Sequence, residues 1–342
     1  MRGPARRSTI IDVARAAGVS TKTVSRVLNG EPHVTPELQE RVHTAVAQLN
    51  YQPNVLAQGL VRRRSYLIGL VYENPSPSYV VELQMGALHR LADERYRLVV
   101  LPVRSVHEKA NEIARLLRAT AIDGVVLAPP ASDHPVVLKD LEEMHLPFAR
   151  ISPTHMLDRG PSNLIDDVAA AREIANYLIG LGHRHIGIIK GDPNHPSSAA
   201  RLLGYSQALS AADIALRPDW IEQGFFTYES GFAAGRRLLG GEERPTAILA
   251  QNDDMAVGAL MAAREIGVAV PEELSIVGFD DSEVSRIVWP RLTTVRQPVF
   301  EMAVAATDML LDQLDGGAIM TAATQWHAHE LLVRESAAKP SG

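Results

Sequence analysis

From Tyr66 onward, short apolar runs of strand length alternate with longer amphipathic stretches, and no other feature restricts the fold as tightly. The runs are Leu67–Val71, Leu98–Val103, Gly124–Ala128, Ile186–Ile189, Ala247–Ala250 and Ser275–Phe279. Continuous apolar strands joined by helical crossovers imply parallel sheets covered on both faces. A stretch of this length is long for one doubly wound sheet, so an α/β core of two lobes is expected.

The first 64 residues follow a different rule. They carry ten Lys and Arg against four Asp and Glu, a net of +6, whereas the whole chain has 34 against 40, a net of −6. The remainder therefore carries 24 basic and 36 acidic residues, a net of −12. A basic module ahead of an acidic body suits a segment that meets a polyanion, although a solvated basic tail gives the same count.

Three short helices are legible in that module. Thr9 is placed to cap the first, with Asp12 three residues on, and Ile10, Val13, Ala14 and Ala17 give one apolar face. Gly18 breaks the helix and Ser20 caps the second, on which Val24, Val27 and Leu28 point one way. Thr21, Lys22, Ser25 and Arg26 lie on its other side. Thr35-Pro36-Glu37 starts a third, with a stripe of Leu38, Val42, Val46 and Leu49. Two helices joined by a tight glycine turn, with a third behind them, describe a helix-turn-helix. Such a second helix would present Lys22 to guanine O6/N7 and Thr21 to a base edge or thymine methyl. Periodicity alone also fits a three-helix bundle with a polar solvent face.

The residue string goes further. "TIIDVARAAGVSTKTVSRVLNG" followed by "VTPELQERVHTAVAQLNYQPNVLAQGL" closely resembles the headpiece of the LacI/GalR (lac repressor) family, from about Thr9 to Leu60 without a gap. The resemblance implies a DNA-binding transcription regulator, most simply a repressor acting as a homodimer on a pseudo-palindromic double-stranded operator. It places Thr21 and Lys22 at the two specificity positions, Arg26 at a base-reading position and Asn29 at a backbone contact. Thr9, Ser20, Thr23, Ser25, Tyr51 and Asn54 complete the DNA-contact set of the headpiece. It also implies a hinge after Pro53 that folds on DNA in pairs. Leu60 would be the wedge that enters a central base step, and Ala57 the small residue packed between the two hinges. Gly59 departs from the polar residue expected there and should make that hinge harder to order, since a helix-interior glycine costs up to about 1 kcal/mol.

The core resembles the same family, and through it the type I periplasmic sugar-binding fold. The strings that carry this are "LIGLVYENPSPSYVVELQMGA", "LIGLGHRHIGIIKG", "ARLLGYSQAL", "AILAQNDDMAVGALMAAREIGVAVPEELSIVGFDDSE" and "PRLTTVRQP". The expected division is a headpiece over 1–53, a hinge and linker over 54–65 and a core over 66–342. Lobe 1 is expected at about 66–165 plus 294–322, and lobe 2 at about 166–293 plus 323–335.

Ligands of such sheets sit beyond the carboxyl ends of the strands. Asn252 ends "AILAQN", Asp280 ends "SIVGFD", Tyr79 follows the first core strand and Arg201 lies early in the helix after "IGIIKGDPNHP". Phe226 is read as the end of a short strand. A carboxylate, an amide, a guanidinium and an aromatic face suit a polyhydroxylated ligand. The resemblance puts all five, with Ser152, on effector-contact positions. Ser152 stands in "ARISP" where many relatives carry aspartate, which leaves the ligand open between a sugar or sugar derivative and a purine or other metabolite. Arg201 and Asp280 could also form a structural ion pair across the cleft, although ligand contact is the favoured reading for both.

An enzyme is the rival class. No G-x-G-x-x-G follows the first strands, and no G-x-S-x-G or P-loop is present. The pairs His183/His185 and His327/His329 lack further metal ligands nearby, so no metal, no cofactor and no catalysis are expected. A secreted binding protein would fit the core but not the basic headpiece. No apolar run approaches a membrane span, no secretory signal follows the basic start, and cysteine is absent, which together fit a cytoplasmic protein. Stretches near Val80–Leu91 and Ile113–Leu117 could form a dimer face, though core packing gives the same stripes. No heptad tail follows Val333, so a coiled-coil tetramer is not expected.

Overall fold

A computed structural model describes residues 8–28, 34–51, 64–73, 76–316 and 323–341. The chain divides into two compact units, Met1–Ser65 and Tyr66–Gly342.

The first unit holds α1 (Ile10–Ala17), α2 (Thr21–Leu28) and α3 (Pro36–Gln48). Thr9 and Asp12 close a reciprocal capping box on α1, each side chain bonding the other's backbone N–H. Gly18 ends that helix at φ 64°, a left-handed conformation that a side chain resists. Arg41 donates to the carbonyls of Ala17 and Gly18, satisfying groups left open at the helix end. Val13, Ala14, Ala17, Val24, Val27, Val42 and Ala45 form the core, with Leu49 and Tyr51 packed on it. Leu38, expected on the buried stripe of α3, is only half-buried.

The second unit contains two parallel sheets. In chain order, the first contains β1 (Leu67–Tyr72), β2 (Arg97–Pro102), β3 (Gly124–Leu127), β4 (Phe148–Ile151) and β5 (Ser162–Leu164). Its spatial order is β2-β1-β3-β4-β5, with β11 (Thr324–Trp326) pairing parallel to β5 at the far edge. The second sheet runs β7 (Ile221–Gln223), β6 (Ile186–Lys190), β8 (Ala247–Ala250), β9 (Ser275–Val277). β10 (Thr294–Arg296) and β12 (Glu330–Leu332) form a separate antiparallel pair.

Among the described residues, nine further helices cover the sheets: α4 (Pro77–Arg90), α5 (Val106–Ala119), α6 (Pro135–Glu143), α7 (Asp167–Leu181), α8 (Pro196–Ala211), α9 (Tyr228–Leu239), α10 (Asp253–Ile266), α11 (Glu283–Ile287) and α12 (Val299–Leu314). The inner strands β3, β4 and β8 are buried at every position, whereas the edge strands β2, β7 and β11 are partly exposed. That is the burial of a parallel sheet covered on both faces.

The expected lobe limits differ from the structure at the C-terminal end. The lobe 2 expected from sequence includes the segment from 323, but Thr324–Trp326 extends the first sheet. The chain returns to the second lobe later, where Ile276 N–H donates to Ser336 O at 2.9 Å. Three edge-strand residues carry too little pattern to reveal which sheet they join.

Candidate functional site

Both sheets have a switch point where the strand order reverses, between β1 and β3 in one and between β6 and β8 in the other. Loops leaving the carboxyl ends of strands at such points diverge and open a crevice. One cavity, enclosing about 30 Å³, lies where the two crevices meet. Ser76, Tyr79, Pro129 and Ser152 line it from the first lobe, and His195, Ser197, Arg201, Phe226, Asn252 and Asp280 from the second, with Asp167 and Gln297 beside the crossovers. All six residues singled out in the sequence for effector contact therefore face one space.

Arg201 is 4% exposed, and its guanidinium lies 3.7 Å above the Phe279 ring. Its Nε donates to Asp167 at 2.8 Å, and it also donates to the Gln251 carbonyl. Asp280 Oδ1 is 3.7 Å from Nη1. The ion pair thus joins two groups of the second lobe and does not bridge the cleft. Burial opposes the charge on Arg201, but Asp167 and Asp280 outweigh it and keep the group cationic. Burial also raises the Asp280 carboxyl to about 7, against the pull of Arg201 and of a hydrogen bond from Gln297. The His195 imidazole, packed edge-on to Phe226, is lowered by burial to about 4 and is neutral at pH 7. Burial pushes the Tyr79 phenol well above its usual range, so it stays protonated.

Backbone strain gathers here. Ser152 (φ 46°), Phe226 (φ 61°) and Asp280 (φ 112°) are non-glycine residues at positive φ, and all three line the cavity. Such conformations cost on the order of 1 kcal/mol or more each and persist only where the surroundings enforce them. Asn252 enforces one of them. Its amide donates to the Phe226 carbonyl at 3.0 Å while its Oδ1 caps α10 by accepting from Met255 N–H. Phe226 does not end a strand as expected. β7 stops at Gln223, and Phe226 lies in the turn that follows.

Asp167, His195, Ser197 and Gln297 escaped the sequence reading. His195 and Ser197 sit at the start of α8, the helix already noted for Arg201, so position relative to β6 was the available signal. Asp167 and Gln297 come from segments that run between the lobes and reach the site only through folding. The histidine pairs are engaged elsewhere. His183 is bonded to Thr246, Ser275 and Ala338, His327 to Asn163, and His329 to Glu173.

In the headpiece, Val24 and Val27 of α2 are buried, while Thr21, Lys22 and Arg26 are exposed and Ser25 is half-buried. Ser20 accepts from Thr23 N–H at 3.1 Å, and its hydroxyl also meets that of Thr23. Thr9 and Tyr51 are likewise committed locally, to the capping box and the headpiece core. Asn29, Asn54, Ala57, Gly59 and Leu60 lie outside the described residues.

The profile of the bacterial regulatory proteins of the lacI family matches residues 9–54, and that of the periplasmic binding protein-like domain matches residues 175–337. The transcriptional repressor PurR of Klebsiella pneumoniae (strain 342) is 34% identical over 310 residues, 90% of each chain. This chain belongs to the LacI family.

Among solved structures, a Lac repressor dimer bound to operator and the anti-inducer ONPF superposes with a TM-score of 0.85 at 30% identity, covering 97% of this chain and 100% of that one. The CelR–cellobiose complex, also 30% identical, gives 0.73 over 96% and 100%. The chain is accordingly a DNA-binding transcription regulator with a parallel α/β sensor core, as LacI-family membership requires. Among the described residues no helix is long and apolar enough to cross a membrane.

Proposed function

We propose that the cavity between the lobes is the effector site of a repressor that binds a pseudo-palindromic operator as a homodimer, and that its ligand is a neutral, hydroxyl-rich molecule, a sugar or sugar derivative. The observation that carries this is the convergence of three strained residues, Ser152, Phe226 and Asp280, on one buried space. A fold accepts such costs where geometry matters more than stability.

The chemistry of the lining narrows the ligand. Two carboxylates, Asp167 and Asp280, face one guanidinium, so an anion would enter a site already short of positive charge. The Arg201 bonds to Asp167 and Gln251 take two of its five N–H donors. Phe226 offers an aromatic face to sugar C–H groups. About 30 Å³ holds only one or two waters, so a ligand of sugar size enters only when the lobes part. Binding then selects between lobe arrangements, and a coupling of about 1–3 kcal/mol would change operator affinity by roughly 5–150-fold.

On the DNA side, Thr21, Lys22 and Arg26 read base edges, and Thr9, Ser20, Thr23, Ser25, Asn29, Tyr51 and Asn54 position the headpiece. Leu60 and Ala57 serve the paired hinge between a headpiece over 1–53 and a core from 66. Val81, Met85 and Leu88, spaced along one side of α4 and 54, 54 and 49% exposed, supply a first-lobe contact for the second copy. The protein works in the cytoplasm and catalyses no reaction.

The test is a thermal-shift screen of neutral sugars, sugar phosphates and purines, run on the wild type and on Asp280→Ala. A sugar that stabilises the wild type by mass action, but not the variant, supports the reading, provided that operator binding survives the substitution. A purine hit lost in the same variant would keep the site and change the ligand class. A normal response from Asp280→Ala would move the site elsewhere.

A further inference from the structure

β4 reads Phe-Ala-Arg-Ile, and its arginine is the largest side chain in the described structure with no exposure at all. Arg150 pairs with Asp133, 3.2 Å away, on the loop that follows β3. Its Nε donates to Ser132 O at 2.6 Å, Nη1 to Met156 O at 2.6 Å and Nη2 to His155 O at 2.7 Å. A longer bond from Nη1 reaches Arg159 O at 3.4 Å. Asp133 faces the same loop from the other side. Its carboxylate accepts from the N–H of Thr154 at 2.8 Å, the hydroxyl of Thr154 at 3.0 Å and the N–H of His155 at 3.0 Å.

A buried ion pair of this kind adds little net stability, because the cost of removing both charges from water offsets their attraction. What it contributes here is geometry. Its partners are backbone groups of two segments, 132 and 154–159, and a rigid planar fork fixes them more closely than a flexible ammonium could. Between Arg150 and Thr154 lies Ser152, held at φ 46° and facing the cavity. On the Asp133 side the same loop carries Pro129, which lines the cavity too. Nothing in Arg150 touches the cavity itself.

We propose that Arg150, locked to Asp133, is a positioning residue of the effector site: it holds the loop after β4 so that Ser152 meets the ligand from the first lobe, and it thereby sets which hydroxyl pattern is accepted. The proposal rests on the effector reading of the cavity.

The test uses full-length protein and the variants Arg150→Lys, Thr154→Ala and Ser152→Ala. Hydrogen exchange is measured first, without ligand. Amides of Thr154 and His155 should exchange at least 10-fold faster in Arg150→Lys, with those of β6 unchanged; equal rates would overturn the proposal. Affinity is then measured by calorimetry for whichever of D-glucose, D-galactose, D-ribose, cellobiose, adenosine or hypoxanthine stabilises the wild type. Arg150→Lys should weaken that ligand at least 10-fold in the wild-type background and less than 2-fold in the Ser152→Ala background, because its effect passes through Ser152. An equal loss in both backgrounds, or no loss, overturns it. Thr154→Ala keeps the ion pair and removes one bond to Asp133, so it should act in the same direction, more weakly, and serves if Arg150→Lys does not fold. A panel without a hit, or one that binds Asp280→Ala normally, counts against the cavity as effector site, while the exchange result still decides whether Arg150 orders the loop.

Discussion

Thr294 donates its hydroxyl to the Asp253 carboxylate at 2.6 Å, and neither residue has any exposed surface. Thr294 belongs to a strand that runs between the lobes, and Asp253 opens α10 of the second lobe. The other carboxylate oxygen accepts from Ser282 N–H at 2.7 Å. Burial, and then the nearby charge of Asp280, hold the Asp253 carboxyl well above its ordinary range. Thr294→Val should leave that carboxylate short of a donor and destabilise the protein by about 1–3 kcal/mol, as read from urea denaturation. A variant as stable as the wild type would remove this bond from any account of how the crossover is anchored.

Asp280 makes the protein's stability depend on pH in a defined direction. Its folded value, about 7, lies above its ordinary 3.8, so its contribution is fully present below about pH 4 and is lost as pH rises through 7. Asp280→Asn should therefore match the wild type near pH 4 and exceed it above pH 7, by a few kcal/mol at most. Melting temperatures across that range are the check. A ligand that donates hydroxyls to the ionised carboxylate should also bind more tightly at about pH 8 than at about pH 6.

His195 acts on the acid side. Burial, foremost, depresses its folded value to about 4 from 6.5, with Asp192 opposing and Arg201 assisting. Its contribution is present above pH 6.5 and is lost as pH falls through 4. His195→Gln should flatten the fall in melting temperature over that interval. An unchanged acid limb would assign the acid sensitivity to other groups.

Lys22 is exposed on the polar side of α2. If it reads a base edge, Lys22→Ala will reorder affinities across a panel of operator variants by about 1–3 kcal/mol at one position. A uniform fall on every sequence, with the salt slope smaller by about one, would instead make it a phosphate contact.

Gly258 packs α10 against α9 so closely that an added Cβ would lie 2.3 Å from Tyr228 O and 2.5 Å from Phe232 N. Backbone cannot yield as a flexible side chain does. Gly258→Ala should cost about 1–3 kcal/mol through overpacking, measurable as a lower denaturation midpoint.

Much of the local architecture was legible in the sequence because its causes are local. The Thr9–Asp12 box and the Ser20 cap each depend on a residue and a neighbour three positions on, and the apolar runs gave six of the strands to within one or two residues. The helix-turn-helix string and the strand–helix alternation were together enough to name the family and to single out six residues that line one cavity.

Tertiary structure decided what depends on contacts distant in sequence. β5, β7, β10, β11 and β12 are three residues long, too short for periodicity to show, and only pairing assigns Thr324–Trp326 to the first sheet. Asn252 turned out to spend its amide on Phe226, 26 residues away. Arg150 is a charge inside a buried strand, enclosed only by the Asp133 carboxylate and the carbonyls of residues 132, 155, 156 and 159. Capping and periodicity are written in neighbouring residues, whereas a buried charge or a strained backbone is stable only through partners that folding brings together.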